Sequence, residues 1–362
     1  MNKGVDRMNW RLIRKDYVLM LKNPLTYLGI FAMILILFMM VSPYFKLYGN
    51  LRAEGEEVVY SDGDDIMDGY IPTPEDEIWE YVSKRMETFL TSDYGMSQED
   101  AEKQMKEIRD SNWTIQEIRQ YFIDKYGMRG FASVWEEGSY KKADITEMEQ
   151  YLDHIFQKDT YTNYFARKYA DYLGISSILF TMIVFSILLI RDMRKNVYSF
   201  IHTKPISGRT YVLGKFFTGI SFVICTIVVF TLIADIIALN IGNSYGYQTN
   251  FWDIWGNIFA FDLPGILLTG SIMLFISLLF KNIIPAVPAM LLYFMYANIG
   301  TISADEGYHY QVKPGAVFVR FPQMFTETEV PSGIIENQIF LLILAIILLV
   351  ASIQIWERRR DA

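Results

Sequence analysis

Two carboxylates, Asp235 and Asp262, stand inside long apolar runs. A charge at mid-bilayer costs about 3 kcal/mol or more and usually marks a pathway. Asp235 comes late in its run and Asp262 early in the next, so both are expected near the same interface. Two readings stand: simple interfacial solvation, or an outer vestibule shared with Trp252 and Trp255. The segment between them is aromatic (Tyr245, Tyr247, Phe251, Trp252, Trp255). It suits either a belt at the headgroup level or a gate.

Catalysis has little support. No stretch reads GxxxxGK[ST] and none reads HExxH. Three histidines (His154, His202, His309) lie far apart, and one cysteine, Cys225, allows neither an internal disulfide nor a Cys-based metal site. Cys225 reads as a small buried apolar residue and Glu136-Glu137 as a solvated pair. On this reading the chain is not an enzyme, and it binds no metal or cofactor itself.

The positioning elements are membrane helices. Of 362 residues, 52% are hydrophobic, and they gather into runs at 25–44, 172–190, 216–239, 258–280, 283–299 and 339–356. About 20 apolar residues cross a bilayer, so six spans of an all-α polytopic protein are expected. Pro285 and Pro288 should bend or interrupt the fifth. Charge divides sharply: residues 45–170 carry 27 acidic and 15 basic residues, against 14 and 18 elsewhere. An acidic domain disfavours nucleic acid, whose affinity comes from Lys and Arg.

Sixteen Lys/Arg lie in residues 1–24, in 191–215, at Lys281 and in Arg358–Arg360, against Lys313 and Arg320 in the loops 240–257 and 300–338. The positive-inside rule then puts both termini in the cytoplasm and segment 45–171 outside a cell membrane. The basic N-terminal stretch, with no small-residue cleavage site after the first run, reads as retained rather than as a signal peptide. Residues 8–23 read as an amphipathic interfacial helix, with Trp10 and Tyr17 on one face and Arg14 and Lys15 on another. A solvated extension is the alternative. Pro24 ends it where the first span begins.

Within 45–171, Thr73, Ser97 and Thr114 each precede an acid by three residues, a helix-start signature, while Gly95 and Gly127 suit helix ends. Helices are expected at about 74–92, 98–110 and 115–126, with a longer one from about 145 that could continue into the second span. Asp93-Tyr94-Gly95-Met96 and Lys125-Tyr126-Gly127-Met128 recur 32 residues apart, by duplication or by coincidence. Residues 54–69 read as a loop. The whole segment is expected to be soluble and helical when expressed alone from about 51 to 166.

Loop 191–215 is the most informative segment. Val197, Phe200 and Ile201 fall at helical spacing before Pro205, with Arg194, Lys195 and Lys204 around them. A connector needs only a few residues, and apolar residues exposed to the cytoplasm need a surface to bury them. A docking partner is implied.

The run Lys204-Pro205-Ile206-Ser207 through Tyr211-Val212-Leu213-Gly214-Lys215 resembles the coupling-helix loop of ABC-transporter permeases of the type-2 exporter superfamily. The basic helix containing Leu12-Ile13-Arg14-Lys15-Asp16-Tyr17 and the six-run order fit the same family. The resemblance implies a permease subunit paired with a second permease, with ATP and Mg on separate ATPase subunits that dock at this loop. Where the family often carries Glu before Gly, this chain has Asp192, and its first outer segment is longer than in many members. Members with enlarged outer segments suggest amphipathic or antimicrobial peptides as substrate. A membrane receptor or sensor, its outer domain binding a peptide, is the alternative.

Overall fold

In the computed structural model, residues 10–61, 69–111, 113–204, 206–299, 301–303, 307–309, 313–322 and 324–360 are described, without the side chains of 10–12, 195, 301–303, 307–309 and 360. Pro205 and the side chains of Trp10 and Lys195 thus lie outside the described residues.

Proline punctuation sets the entry to the bundle. Helix α1 (Trp10–Lys22) stops before Asn23, whose side chain accepts from the Leu25 amide. Pro24 then opens α2 (Pro24–Val41) at a position where a missing N–H costs nothing.

The inserted segment follows. Strand β1 (Tyr70–Pro72) leads to α3 (Glu75–Ser92), α4 (Gln98–Arg109), α5 (Ile115–Tyr126) and α6 (Phe131–Gly138), then to β2 (Tyr140–Lys142), which pairs antiparallel with β1. Two expected caps form: Ser97 accepts from the Asp100 amide, and Thr114 and Glu117 make the full reciprocal box. The third does not. Pro74 occupies the cap position of α3, because Thr73 is held by the strand pair through its amide bond to the Ser139 carbonyl at 2.9 Å.

The repeated Tyr-Gly-Met elements share one geometry. Gly95 and Gly127 both have φ +67°, and the next amides, of Met96 and Met128, bond back to the Leu90 and Phe122 carbonyls. A left-handed residue there favours glycine. Helix α6 and the strand pair had no clear signal in the sequence. Lys141 of β2 is buried between Glu77 at 2.7 Å and Glu147 at 3.0 Å.

Helices α3–α6 enclose a core of their own, built on Val82, Leu90, Met105, Ile118, Phe122 and Phe131. Helix α7 (Ile145–Lys158) does not share it. Its Met148, Leu152, Ile155 and Phe156 join the core of the apolar helices. The self-contained unit is therefore α3–α6, smaller than the expected 51–166. Nor does α7 run on into the second apolar helix. Asp159 is extended, and Thr160 caps a new start, α8 (Tyr161–Ile190), by accepting from the Asn163 amide.

Among the described residues, five helices are long and apolar enough to cross a membrane: Pro24–Phe45, Tyr161–Ile190, Gly208–Ser244, Trp252–Phe280 and Ile334–Arg359. After α8 come α9 (Lys195–His202) and α10 (Gly208–Ser244), which Ser207 caps through the Thr210 amide. Next are α11 (Trp252–Asn257), a π turn over Ile258–Asp262, and α12 (Leu263–Phe280), with Pro264 in its first turn. Helix α13 (Ala286–Asn298) has 13 residues, about 20 Å at 1.5 Å per residue. Pro285 stands at its start, so the helix is shorter than the expected 283–299 run and than the five above. A short antiparallel pair, β3 (Thr301–Ser303) and β4 (Gly307–His309), precedes the closing helix α14 (Ile334–Arg360).

Helix α8 is the hub, 72% buried over its apolar window against 22% for the last helix. It packs on α1, α2, α10, α11 and α12. The ring of Phe185 fills the space that a Cβ would take at Gly219 and at Gly270, drawing α10 and α12 close. The outward side of α2 is apolar and exposed (Leu28, Phe31, Phe38), as a lipid-facing helix should be.

Candidate functional site

The bundle has two dissimilar ends. One gathers α1, the end of α8, α9, the start of α10 and the end of α14, and contains the loop singled out above. Its centre is a buried charge cluster. Lys215 of α10 reaches Asp16 of α1 at 2.9 Å and Asp192, just past α8, at 2.8 Å. Tyr211 also donates to Asp192 at 3.2 Å. Asp16, Asp192 and Lys215 are all buried. Burial pushes the Asp16 carboxyl above its usual range, although Lys215 pulls the other way. Two carboxylates on one ammonium join three chain segments, and Lys215 is the member whose loss would strand buried charge, because both carboxylates depend on it.

A ring stack extends this junction to α9 and α14. Tyr211 lies on Trp356 with centroids 3.8 Å apart, and His202 lies on the same Trp356 at 4.0 Å and on Tyr198 at 4.2 Å. Helix α9 is therefore bound to the bundle by Tyr198 and His202 on its inner side. Its outer side carries Phe200, 60% exposed, with the Lys204 ammonium 4.6 Å from the ring centroid.

The structure divides the expected docking residues. Phe200, Lys204 and Arg194 are exposed, and Phe200 also borders the groove described next. Val197 and Ile201 are half-buried along a groove between α9, α1 and α10. Asp192 points inward to Lys215. On α1, Arg14 and Lys15 are exposed, while Tyr17 bonds Ser221 of α10 at 2.6 Å and meets Phe222 edge-on. Sequence reasoning gave no role to Asp16, Lys215, Tyr211 or Trp356. Asp16 and Lys215 are 199 residues apart, and only their isolation beside apolar stretches hinted at pairing.

Of the four expected vestibule residues, Asp235 and Trp255 meet, and no hydrogen bond or ring contact joins Trp252 or Asp262 to them among the described residues. Asp235 accepts from the Trp255 indole at 3.1 Å and is fully buried, not solvated. Asp262 is 2% exposed on the π turn, against α8 at Gly174, and neither carboxylate oxygen has a hydrogen-bond partner among the described residues. Trp252 is 70% exposed. Interfacial solvation thus fails for both carboxylates, because α8 and α11 cover the positions that helix depth alone would leave wet. Cys225, expected to be buried, is exposed on α10. A wholly apolar run has no periodicity to separate its core face from its outer face.

The other end carries the inserted domain and is interlocked. Tyr48 and Tyr247 share a hydrogen bond of 2.6 Å. Phe325 packs among Tyr44, Phe156, Tyr161 and Tyr164. The segment before α14 straps the domain down: Tyr140 donates to Glu327 at 2.9 Å, and Arg167 donates to the Thr328 carbonyl at 3.1 Å. Asp171, buried in α8, accepts from Arg320 at 2.6 Å and from the Phe321 amide at 3.0 Å. Among the described residues no group of His, Cys, Asp and Glu could hold a metal ion.

Compared with known family models, curated proteins and solved structures, the chain finds no match.

Proposed function

We propose that the chain is the membrane permease subunit of an ATP-driven exporter of the ABC type, with the α9 end in the cytoplasm. In this reading α13 completes a sixth span with its flanking residues, both termini are cytoplasmic, and segment 45–171 lies outside the cell. ATP and Mg belong to separate ATPase subunits, and a second permease copy completes the pathway. An amphipathic peptide is the substrate class. The observation that carries the reading is the construction of α9: one exposed aromatic under a cation, on a helix fastened by Tyr198 and His202 to Trp356 of α14 and, through that indole, to Tyr211 of α10. Such an element suits a lever, because force applied at Phe200 passes to the helices through rigid contacts rather than a slack loop.

The test is Phe200→Ala in the full chain, co-expressed with a Walker-motif ATPase encoded beside it. An anchor truncated at an interface costs about 2 kcal/mol or more, so co-purification should fall roughly thirtyfold while permease abundance holds. Trp252→Ala, an equally exposed aromatic at the other end, is the control. Lys281→Ala is unsuitable, since its ammonium lies 5.7 Å from the Tyr198 ring and its φ is +51°. Unchanged ATPase binding and unchanged transport would overturn the reading.

The separate core of α3–α6 favours a second reading, a receptor whose outer unit binds a peptide. Phe200→Ala would then leave transport-type ATPase association untouched and alter signalling instead.

A further inference from the structure

Beneath α9 lies a groove of about 330 Å³, within the ~300–1,000 Å³ range of small-ligand sites. Its walls are mostly apolar: Ile13 from α1, Val197 and Ile201 from α9, Ile206, and Tyr211 and Thr218 from α10. The neighbouring surface is apolar too, with Val18 and Leu21 of α1 and Phe217 of α10 all exposed. The groove thus continues a lipid-facing surface.

Its mouth is cationic. Lys15 and Arg191 line it and are exposed, and Lys15 has no carboxylate partner among the described residues. Arg191 comes only within 3.9 Å of Asp192, whose carboxylate is already held by Lys215 and Tyr211. Inside, Lys215 offsets one of the two carboxylates, so the lining charges sum in favour of an anion. A basic mouth over an apolar slot, beside an amphipathic helix, fits a negatively charged headgroup with an acyl chain below it.

We propose that this groove binds one anionic phospholipid, its phosphate between Lys15 and Arg191 and one acyl chain along Val197 and Ile201. The lipid fills the space between α9 and α1, so it sets how far α9 stands from the interfacial helix. The proposal requires a membrane-embedded chain but no ATPase, and is tested without one.

The delipidated full chain in neutral detergent is titrated with short-chain phosphatidylglycerol and with phosphatidylcholine, and bound lipid is counted by native mass spectrometry. Phosphatidylglycerol should bind preferentially, and Lys15→Gln and Arg191→Gln should each cut that preference roughly fivefold. Gly214→Leu is the second arm. Gly214 lines the groove and a Cβ there meets nothing within 4 Å, so a side chain can start from it toward the groove, and leucine should abolish preferential binding. Equal binding of the two lipids overturns the proposal. So does undiminished phosphatidylglycerol binding by Gly214→Leu, or displacement of the lipid by inorganic phosphate at equal concentration.

Discussion

The two ends of this molecule solve the same packing problem differently. At the domain end, loops from four parts of the chain interlock through tyrosines and paired charges, and Phe325 is enclosed by aromatic rings. At the α9 end a buried ammonium, the Trp356 indole and Tyr17 hold the segments together, leaving a groove and an exposed Phe200. Many redundant contacts make a fixed platform. A few strong contacts beside open space make a part that can be moved as a unit, because its joints are stiff and its surroundings are not packed solid.

The largest effect expected from this contrast is at Lys215. Lys215→Met leaves Asp16 and Asp192 buried without their cation, which typically costs about 3–5 kcal/mol. Thermal unfolding in detergent should show a large loss. Cysteine accessibility should show α1 released from α10 while the domain end keeps its protection. If both ends loosen together, the contrast is false.

The domain end is tested at Gly265 of α12, where an added Cβ would collide with the carbonyl oxygen of Val317. Backbone cannot swing aside as a side chain can, so Gly265→Ala should cost about 1–3 kcal/mol and free the strap at residues 317–328 to protease. Gly256→Ala, with open space around it, should do neither.

Acid separates the ends more gently. Burial raises Glu147, but the Asp144 amide, Lys141 and Arg52 together outweigh it, and its carboxyl ends below the usual range. Its contribution is therefore present above the ordinary carboxylate value and is lost as pH falls through the depressed one. Asp16 is shifted upward, so protonation favours the folded form there, and its contribution is lost as pH rises. Acidification from about pH 6 to about pH 3 should loosen the base of α7 before the α9 end, by hydrogen exchange. Glu147→Gln should remove that order. The smallest effect expected is on stability at Phe200. Its ring is largely exposed, so Phe200→Ala should change unfolding by no more than about 0.5 kcal/mol, whatever it does to partner binding.

Local signals were read well where local chemistry decides structure. The Ser97 and Thr114 caps, the Gly127 stop, the break at Pro24 and α9 before Pro205 each depend on residues within a few positions of one another. The Thr73 cap failed because a strand pairing with residues 140–142 took its backbone first. The candidate site was half legible. The loop and its exposed Phe200 followed from spacing, but the inward turn of Asp192 and the partnership of Asp16 with Lys215 did not.

By itself the sequence determined the apolar runs, the acidic insertion, most helix boundaries and the amphipathic character of α9, because these are set by hydrophobicity and by short-range hydrogen bonding. Tertiary structure alone decided which face of each apolar helix is buried, that Asp235 and Asp262 are covered rather than wet, and that α7 packs with the apolar helices instead of the α3–α6 unit. The reason is physical. Within a uniformly apolar helix every face has similar transfer energy, so nothing local distinguishes lipid from neighbour. Only the close approaches at Gly219, Gly270 and Gly265, and the pairing of charges distant in sequence, fix the rotation of one helix against the next.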